Sequence, residues 1–505
     1  MARSGIFVFL SGRLLSLVLL MAFQLVVVRL LAPVEYGRFA IVFAFAVLMQ
    51  TVLSFGVPRL IPKYVGQAGW TLRPATVGRL IAAILAFRLL ASMLTMTAAL
   101  AIGAAWGWIG PGDLGMPYVA GAMAYILVSV AQVDTDAMAL ALGLQQASRS
   151  ALVGEALVRL ALISAAAAAG WISTASTLLW IGTATALAAV CLLLLRIRGA
   201  LRTMPPQPEQ ARPLDREEFR AIAASGYASA LAWFASSPAT IRLVASRTLS
   251  VAAFAGFSFI QTLAVSFQRY TPGMLVFPFV EPAVMRHFSR TGDQSRLEAT
   301  LALVIKIDLI VIGAAIVGTA IAGESIVGLM TGGRYVAAAY GLPWLLAYLI
   351  TTSTYRAFEI VAVALNATAV LGKTLVLSLL WIGAAILLTP RYGLIALLAC
   401  PVGDSVSRLA VMHWALGRVG IRRTVDLPVT ASIALLMLLL AGGGAVLIRA
   451  VGIGAPGALA LGSAGGTVFL LLIALGRPLR MGEVAPMLPA LPGFASRLLR
   501  LIVRD

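Results

Sequence analysis

The chain has 505 residues, 61% of them hydrophobic and only 11% charged, with a mean hydropathy of +0.99. Soluble domains carry about 25% charged residues, so 38 basic and 19 acidic side chains cannot cover a water-facing surface on a chain of 52.8 kDa. Apolar stretches recur from end to end, which also excludes a soluble enzyme with one membrane anchor and leaves an all-α polytopic membrane protein. The net charge of +19 reads as an arginine-rich cytoplasmic face against anionic lipid headgroups. It does not read as nucleic-acid binding, because no soluble basic run is interleaved with aromatics.

A window of about 20 apolar residues, enough to cross a hydrocarbon core of about 30 Å, predicts fourteen spans in chain order. They are 6–28, 39–56, 80–103, 117–133, 151–171, 175–195, 221–241, 251–278, 301–322, 341–364, 370–388, 393–413, 428–448 and 457–475. The first is a span and not a cleaved signal peptide. Its apolar run is too long, Arg13 interrupts it, and no small-residue cleavage site follows. Pro238, Pro272 and Pro278 predict bends in the seventh and eighth spans.

The stretch 196–220, RIRGALRTMPPQPEQARPLDREEFR, is polar and proline-broken and divides the first twelve spans into six and six. The expected organisation is an amino-terminal six-helix lobe over 1–195, a cytoplasmic linker over 196–220 and a second six-helix lobe over 221–413. An extra helix pair with its preceding loop follows over 414–475, then a basic tail over 476–505. In that tail ASRLLRLIVRD is suited to lie on the inner leaflet. A faint repeat supports two lobes: Arg29, Leu31, Tyr36 and Phe39 match Arg247, Leu249, Phe254 and Phe257 at a constant spacing of 218. With both termini in the cytoplasm, 24 basic residues fall on the cytoplasmic side, Lys373 in the first turn of its span among them, and seven on the other, the bias that sets orientation in multi-span proteins.

Little here resembles catalysis. Cys191 and Cys400 lie in apolar stretches, and His287 and His413 lie far apart, so neither a metal site nor a cofactor site is expected. Gly372-Lys373-Thr374 imitates the end of a phosphate-binding loop, but Ala367 stands where its first glycine belongs and no strand precedes it. The predicted outer loops are short and offer few acids beyond Glu35, Asp113 and Glu324, which argues against a membrane glycosyltransferase or polymerase. Asp134 and Asp136 read as a solvated pair at a helix end.

The informative residues are charges inside spans. Seven cations, Arg13, Arg88, Arg159, Arg269, Lys306, Arg356 and Arg408, face five acids, Glu155, Glu281, Asp308, Glu359 and Asp404. A lone cation at the bilayer centre costs about 2.5–3.5 kcal/mol, so seven facing lipid would cost on the order of 20 kcal/mol. They must snorkel, pair, or face a wet interior. Glu155 with Arg159, Asp404 with Arg408, and Arg356 with Glu359 are spaced to share a helix face, as structural pairs or as coupling sites. Lys306 and Asp308 point to different faces, so each needs a partner from another helix or a place near the interface. Arg13, Arg88 and Arg269 have no acid within a turn, and an unpaired cation inside a bundle reads as a site for phosphate, pyrophosphate or carboxylate.

Several stretches carry a family likeness. VVVRLLAPVEYGRFAIVFAF (26–45), LSFGVPRLIPKYVG (53–66), FSRTGDQSRLEATL (288–301), GESIVGLMTGGRYVAAAYGLPWLLAYLI (323–350) and LNATAVLGKTLVLSLLWIGAAILLTPRYGLIALL (365–398) follow one another in the expected order. Together they resemble bacterial polysaccharide and O-antigen flippases of the multidrug/oligosaccharidyl-lipid/polysaccharide exporter superfamily. The family's acidic turn departs here to Ala32-Pro33-Val34-Glu35-Tyr36-Gly37. The resemblance implies a V-shaped bundle of two six-helix lobes around a cationic cavity in the inner membrane. It implies alternating access that moves a polyprenyl-pyrophosphate-linked oligosaccharide to the outer leaflet for O-antigen, lipopolysaccharide or exopolysaccharide biosynthesis. Glycosyltransferases and a polysaccharide polymerase would then be its partners, and Arg13 and Arg269 correspond by position to cavity cations of the first and eighth helices. Two other readings stay open: a cation-coupled multidrug antiporter of the same superfamily, and a non-transporting membrane scaffold.

Overall fold

The computed structural model describes residues 3–68, 72–105, 115–172, 174–204, 216–235, 237–268, 271, 294–365, 369–418, 420–421, 426–480 and 503–504. Sixteen α-helices occupy nearly all of them. In the first half these are α1 (Arg3–Leu30), α2 (Pro33–Val52), α3 (Val57–Tyr64), α4 (Pro74–Ala105), α5 (Met116–Ala141), α6 (Gln145–Ala168), α7 (Ala175–Thr203), α8 (Arg216–Ala235) and α9 (Pro238–Thr248). The second half holds α10 (Val251–Gln268), α11 (Gln294–Thr331), α12 (Gly341–Ala364), α13 (Ala369–Tyr392), α14 (Leu394–Arg418), α15 (Leu427–Val451) and α16 (Ala455–Gly476). Every predicted span overlaps helix within its described residues, and among the described residues eleven helices are long and apolar enough to cross a membrane. The fold is that of an all-α polytopic membrane protein.

Local chemistry explains the helix ends. Proline sits in the first turn of α2, α3, α5, α15 and α16, where its missing N–H would have had no partner and its φ is already helical. Pro238 separates α8 from α9, so the seventh predicted span is two helices in place of one. Pro272 and Pro278, the other expected bends, lie outside the described residues. So does most of the tail, although Val503–Arg504 pairs in parallel with Leu479–Arg480.

Contacts divide the chain into two compact units, Val18–Ser246 and Met1–Leu17 with Arg247–Asp505. In the amino-terminal unit α7 packs on α5 and α6, α5 on α2 and α4, and α8 on α2 and α3. The segment 221–246, at the start of the expected second lobe, packs here. One close approach holds it. Gly56 opens α3 at φ 77°, and a Cβ there would overlap the backbone of Ala223 on α8. Around it Ile61, Val65, Val77, Met138 and Leu193 form a core with no exposed surface.

In the carboxy-terminal unit α11 packs on α12, α15 and α16, and α14 on α12 and α13. Lipid is as apolar as leucine, so helices in it associate through close packing of small residues. Gly462 and Gly466 of α16 supply this: a Cβ on Gly462 would stand 2.6 Å from Ala322 Cβ and 2.9 Å from Gly318 O on α11. Large apolar side chains such as Leu387 and Leu475, 78% and 80% exposed, point away from the protein as lipid-facing residues do.

The sequence echo has a structural counterpart. Helix α1 ends at Leu30 and α9 at Thr248, while α2 begins at Pro33 and α10 at Val251, again 218 residues apart. Each half of the chain thus repeats the same helix junction.

Candidate functional site

The membrane-buried charges gather into polar networks, one set in each unit. In the amino-terminal unit Arg88 of α4 and Asp134 of α5 form an ion pair at 3.0 Å, with side chains 1% and 2% exposed. Arg88 also donates to the Gln50 carbonyl of α2 at 3.1 Å, and Gln50 Nε2 donates to the Ser129 carbonyl at 3.3 Å. This corrects two expectations. Arg88 has no acid along its own helix, but a neighbouring helix supplies one. Asp134 is not solvated, because α5 continues eight residues past the predicted end of its span and carries the carboxylate inward. Asp136, two residues on and facing elsewhere, accepts a hydrogen bond from Ser148.

A second network lies on α6. Glu155 and Arg159 pair along one face as their spacing requires. Gln132 Nε2 donates to Glu155 at 2.5 Å, and Arg159 Nε donates to Thr185 Oγ1 at 3.4 Å with its guanidinium 5.7 Å from the Phe23 ring. Phe23, Phe39, Phe43 and Tyr125 continue from there as a chain of aromatic contacts. At the α1–α2 turn Glu35 accepts from Arg38 and from the Ala175 amide, both at 2.7 Å, and so ties the start of α2 to the first turn of α7. An acid at a helix amino terminus is favoured by the helix dipole.

In the carboxy-terminal unit Asp404 and Arg408 of α14 pair at 3.3 Å, both nearly buried. Ser378 of α13 donates to Asp404 at 2.8 Å, the Arg408 guanidinium lies 4.2 Å from the Tyr355 ring, and the Tyr355 hydroxyl bonds Thr374 at 2.9 Å. Three helices therefore converge on one charge pair. Thr374 belongs to the phosphate-loop mimic, which here is ordinary α13 helix. Lys306 and Asp308 take separate partners, as their spacing required. Ser353 of α12 donates to Asp308, while Lys306 Nζ reaches Asp426 at 3.1 Å and the Pro478 carbonyl at 3.4 Å. Asp426 precedes α15 and Pro478 follows α16, so Lys306 holds both ends of the extra pair against α11. Arg356 and Glu359 pair at 2.7 Å with Arg356 half-exposed.

Arg88 and Lys306 stand 218 residues apart, and each is 1% exposed. Each half thus carries a wholly buried cation at the matched position of its third span. The partners that satisfy them, Asp134, Gln50 and Asp426, were not legible because they come from other helices or from a loop 120 residues away.

Of the expected cavity cations, Arg13 falls on α1 with its side chain outside what the structure describes, and Arg269 lies outside the described residues. Glu281 and His287 do as well. No group of three potential metal ligands occurs among the described residues. Among the carboxylates on the described helices, Asp134, Glu155, Asp308, Glu359 and Asp404 are each engaged by a cation or a hydroxyl, while Glu324 is exposed. Four of them, Asp134, Glu155, Glu359 and Asp404, have their charge matched by an arginine.

The fold has solved relatives. It is similar to a structure of the lipid II flippase MurJ in an inward closed conformation, with a TM-score of 0.59 at 12% identity over 92% of this chain and 97% of that one. It is also similar to an inward-facing multidrug-resistance MATE family transporter of the MOP superfamily, with a TM-score of 0.58 at 14% identity over 81% of this chain and 96% of that one. At these identities the likeness establishes a shared fold. No protein-family model matches the chain, and no curated protein sequence does.

Proposed function

We propose that this protein is a flippase of the inner membrane. It carries a polyprenyl-pyrophosphate-linked oligosaccharide from the cytoplasmic to the outer leaflet by alternating access, for surface polysaccharide biosynthesis. The observation that carries this reading is the fold, whose likeness to a lipid II flippase extends over 92% of the chain, against 81% for the drug transporter. The charge inventory supports it. Asp134, Glu155 and Asp404 are each paired with an arginine within their own networks, whereas the sequence gives Arg13 and Arg269 no acid within a turn. A pyrophosphate headgroup is matched by such guanidinium groups, which bind it through charge-assisted bidentate hydrogen bonds.

In this mechanism Arg13 and Arg269 take the headgroup, and the buried pairs keep helix packing intact while the transporter changes access. Arg88 has no part in binding the headgroup, because its guanidinium is committed to Asp134 and Gln50. The direct test is complementation of a deletion in the native host. Arg269→Ala, and to a lesser degree Arg13→Ala, abolishes surface polysaccharide at unchanged protein level, and normal polysaccharide in both variants removes these residues from the mechanism. A cation-coupled drug antiporter is the second reading, favoured by the MATE likeness. Competition by a cationic dye for transport would select it.

A further inference from the structure

A cavity of about 630 Å³ opens between α4 and α7 of the amino-terminal unit, within the range of about 300–1,000 Å³ that small-molecule sites occupy. Ile81, Leu85, Leu194 and Leu201 wall it, and the small residues Gly78 and Ala82 leave its width. Its polar end is made by Arg198 and Arg202, which also line it. They are four apart on the last turns of α7 and so share a face. Both are exposed, and among the described residues neither has an ion-pair or hydrogen-bond partner. Two like charges at this spacing repel one another. In the same unit Arg38, Arg88 and Arg159 all have carboxylates.

An apolar slot between membrane-spanning helices that ends in two guanidinium groups with no carboxylate against them among the described residues is complementary to one kind of molecule, an amphiphile with an anionic head. We propose that this slot is a binding site for an anionic glycerophospholipid of the bilayer. Its phosphate sits between Arg198 and Arg202, and one acyl chain runs along Ile81, Leu85 and Leu194. Arginine forks suit phosphate oxygens, and basic pockets between membrane helices on the cytoplasmic side are recognised by acidic headgroups. Free phosphate would satisfy the arginines but leave the apolar slot unfilled, and a zwitterionic lipid would fill the slot but place its own cation against the arginines. The slot is built by one unit alone, which suits a resident lipid and makes the site independent of the transported substrate.

Native mass spectrometry of the full-length protein, released from micelles doped with equal phosphatidylglycerol and phosphatidylcholine, tests this. Wild type should keep one tightly held phosphatidylglycerol. Arg198→Gln/Arg202→Gln should lower its occupancy at least about tenfold, the factor that one lost charge-assisted hydrogen bond carries. Arg198→Lys/Arg202→Lys should keep most of the occupancy. Ala82→Trp, which fills the slot at an exposed position and leaves both arginines, should lower occupancy as the glutamine variant does. Equal retention in the glutamine variant or in Ala82→Trp, equal binding of phosphatidylcholine to wild type, or displacement of the lipid by millimolar inorganic phosphate would each overturn the proposal.

Discussion

The pair Arg88–Asp134 gives the sharpest energetic prediction. Both side chains are almost wholly buried, the charges are 3.0 Å apart, and the Gln50 carbonyl is a further acceptor for the guanidinium. Asp134→Ala strands a cation within the unit. Two independent scales set the penalty: about 3–5 kcal/mol for removing one partner of a buried pair, and about 2.5–3.5 kcal/mol for a lone arginine at the centre of a span. Arg88→Met/Asp134→Ala removes both charges and leaves apolar groups in their place, a change that is neutral or stabilising in comparable pairs. Unfolding in mixed micelles, followed by circular dichroism for wild type, both single variants and the double variant, reads these values as a double-mutant cycle. Asp134→Ala should lose at least about 3 kcal/mol and the double variant should recover most of it. A single variant within about 1 kcal/mol of wild type, or a double variant whose loss equals the sum of the singles, would refute the pairing argument.

Further predictions follow from packing. Lys306→Met frees both ends of the α15–α16 pair, with a loss of about 1–3 kcal/mol from a charge-assisted bond, so trypsin should cut between α14 and α15 faster; an unchanged cleavage rate contradicts the tether. Gly56→Ala combines a positive φ with an overlap against Ala223, whereas Gly143, at φ 75°, has nothing near its Cβ. Gly143→Ala should therefore cost only the about 1–2 kcal/mol of left-handed backbone, while Gly56→Ala abolishes recovery of folded protein in detergent, and equal yields would refute the close approach. Gly462→Leu should loosen α16 from α11, read as faster hydrogen exchange confined to residues 427–476; exchange at the wild-type rate would show that the interface tolerates bulk.

The helices were legible because hydrophobic length leaves a mark in the sequence that tertiary contacts rarely override. The fourteen windows meet fifteen of the sixteen described helices, Pro238 dividing one window into two, and only the short α3 lies outside them. Charge pairs within one helix were equally legible: Glu155 with Arg159, Arg356 with Glu359 and Asp404 with Arg408 all form. Partners across helices were not, because sequence spacing carries no information about which helix lies next door. Arg88 looked unpaired and Asp134 looked solvated for that reason, and a single ion pair answers both. Lys306 declared through its spacing from Asp308 that it needed a partner elsewhere, but nothing in the sequence pointed to Asp426. Residues 221–246 pack with the amino-terminal unit because a covalent linker marks where the chain leaves the membrane, while packing is set by close approaches such as Gly56 on Ala223.

The most direct measurement is leaflet transfer itself. Purified protein is reconstituted into liposomes carrying a fluorescent polyprenyl-pyrophosphate-linked oligosaccharide, and the fraction of headgroup reached by an external glycosidase is followed in time. Wild type should expose the inner-leaflet pool at a rate well above protein-free liposomes, and Arg269→Ala should fall to the protein-free rate. No transfer by wild type, with or without an ion gradient, or transfer that a cationic dye abolishes while Arg269→Ala leaves it unchanged, would contradict the account.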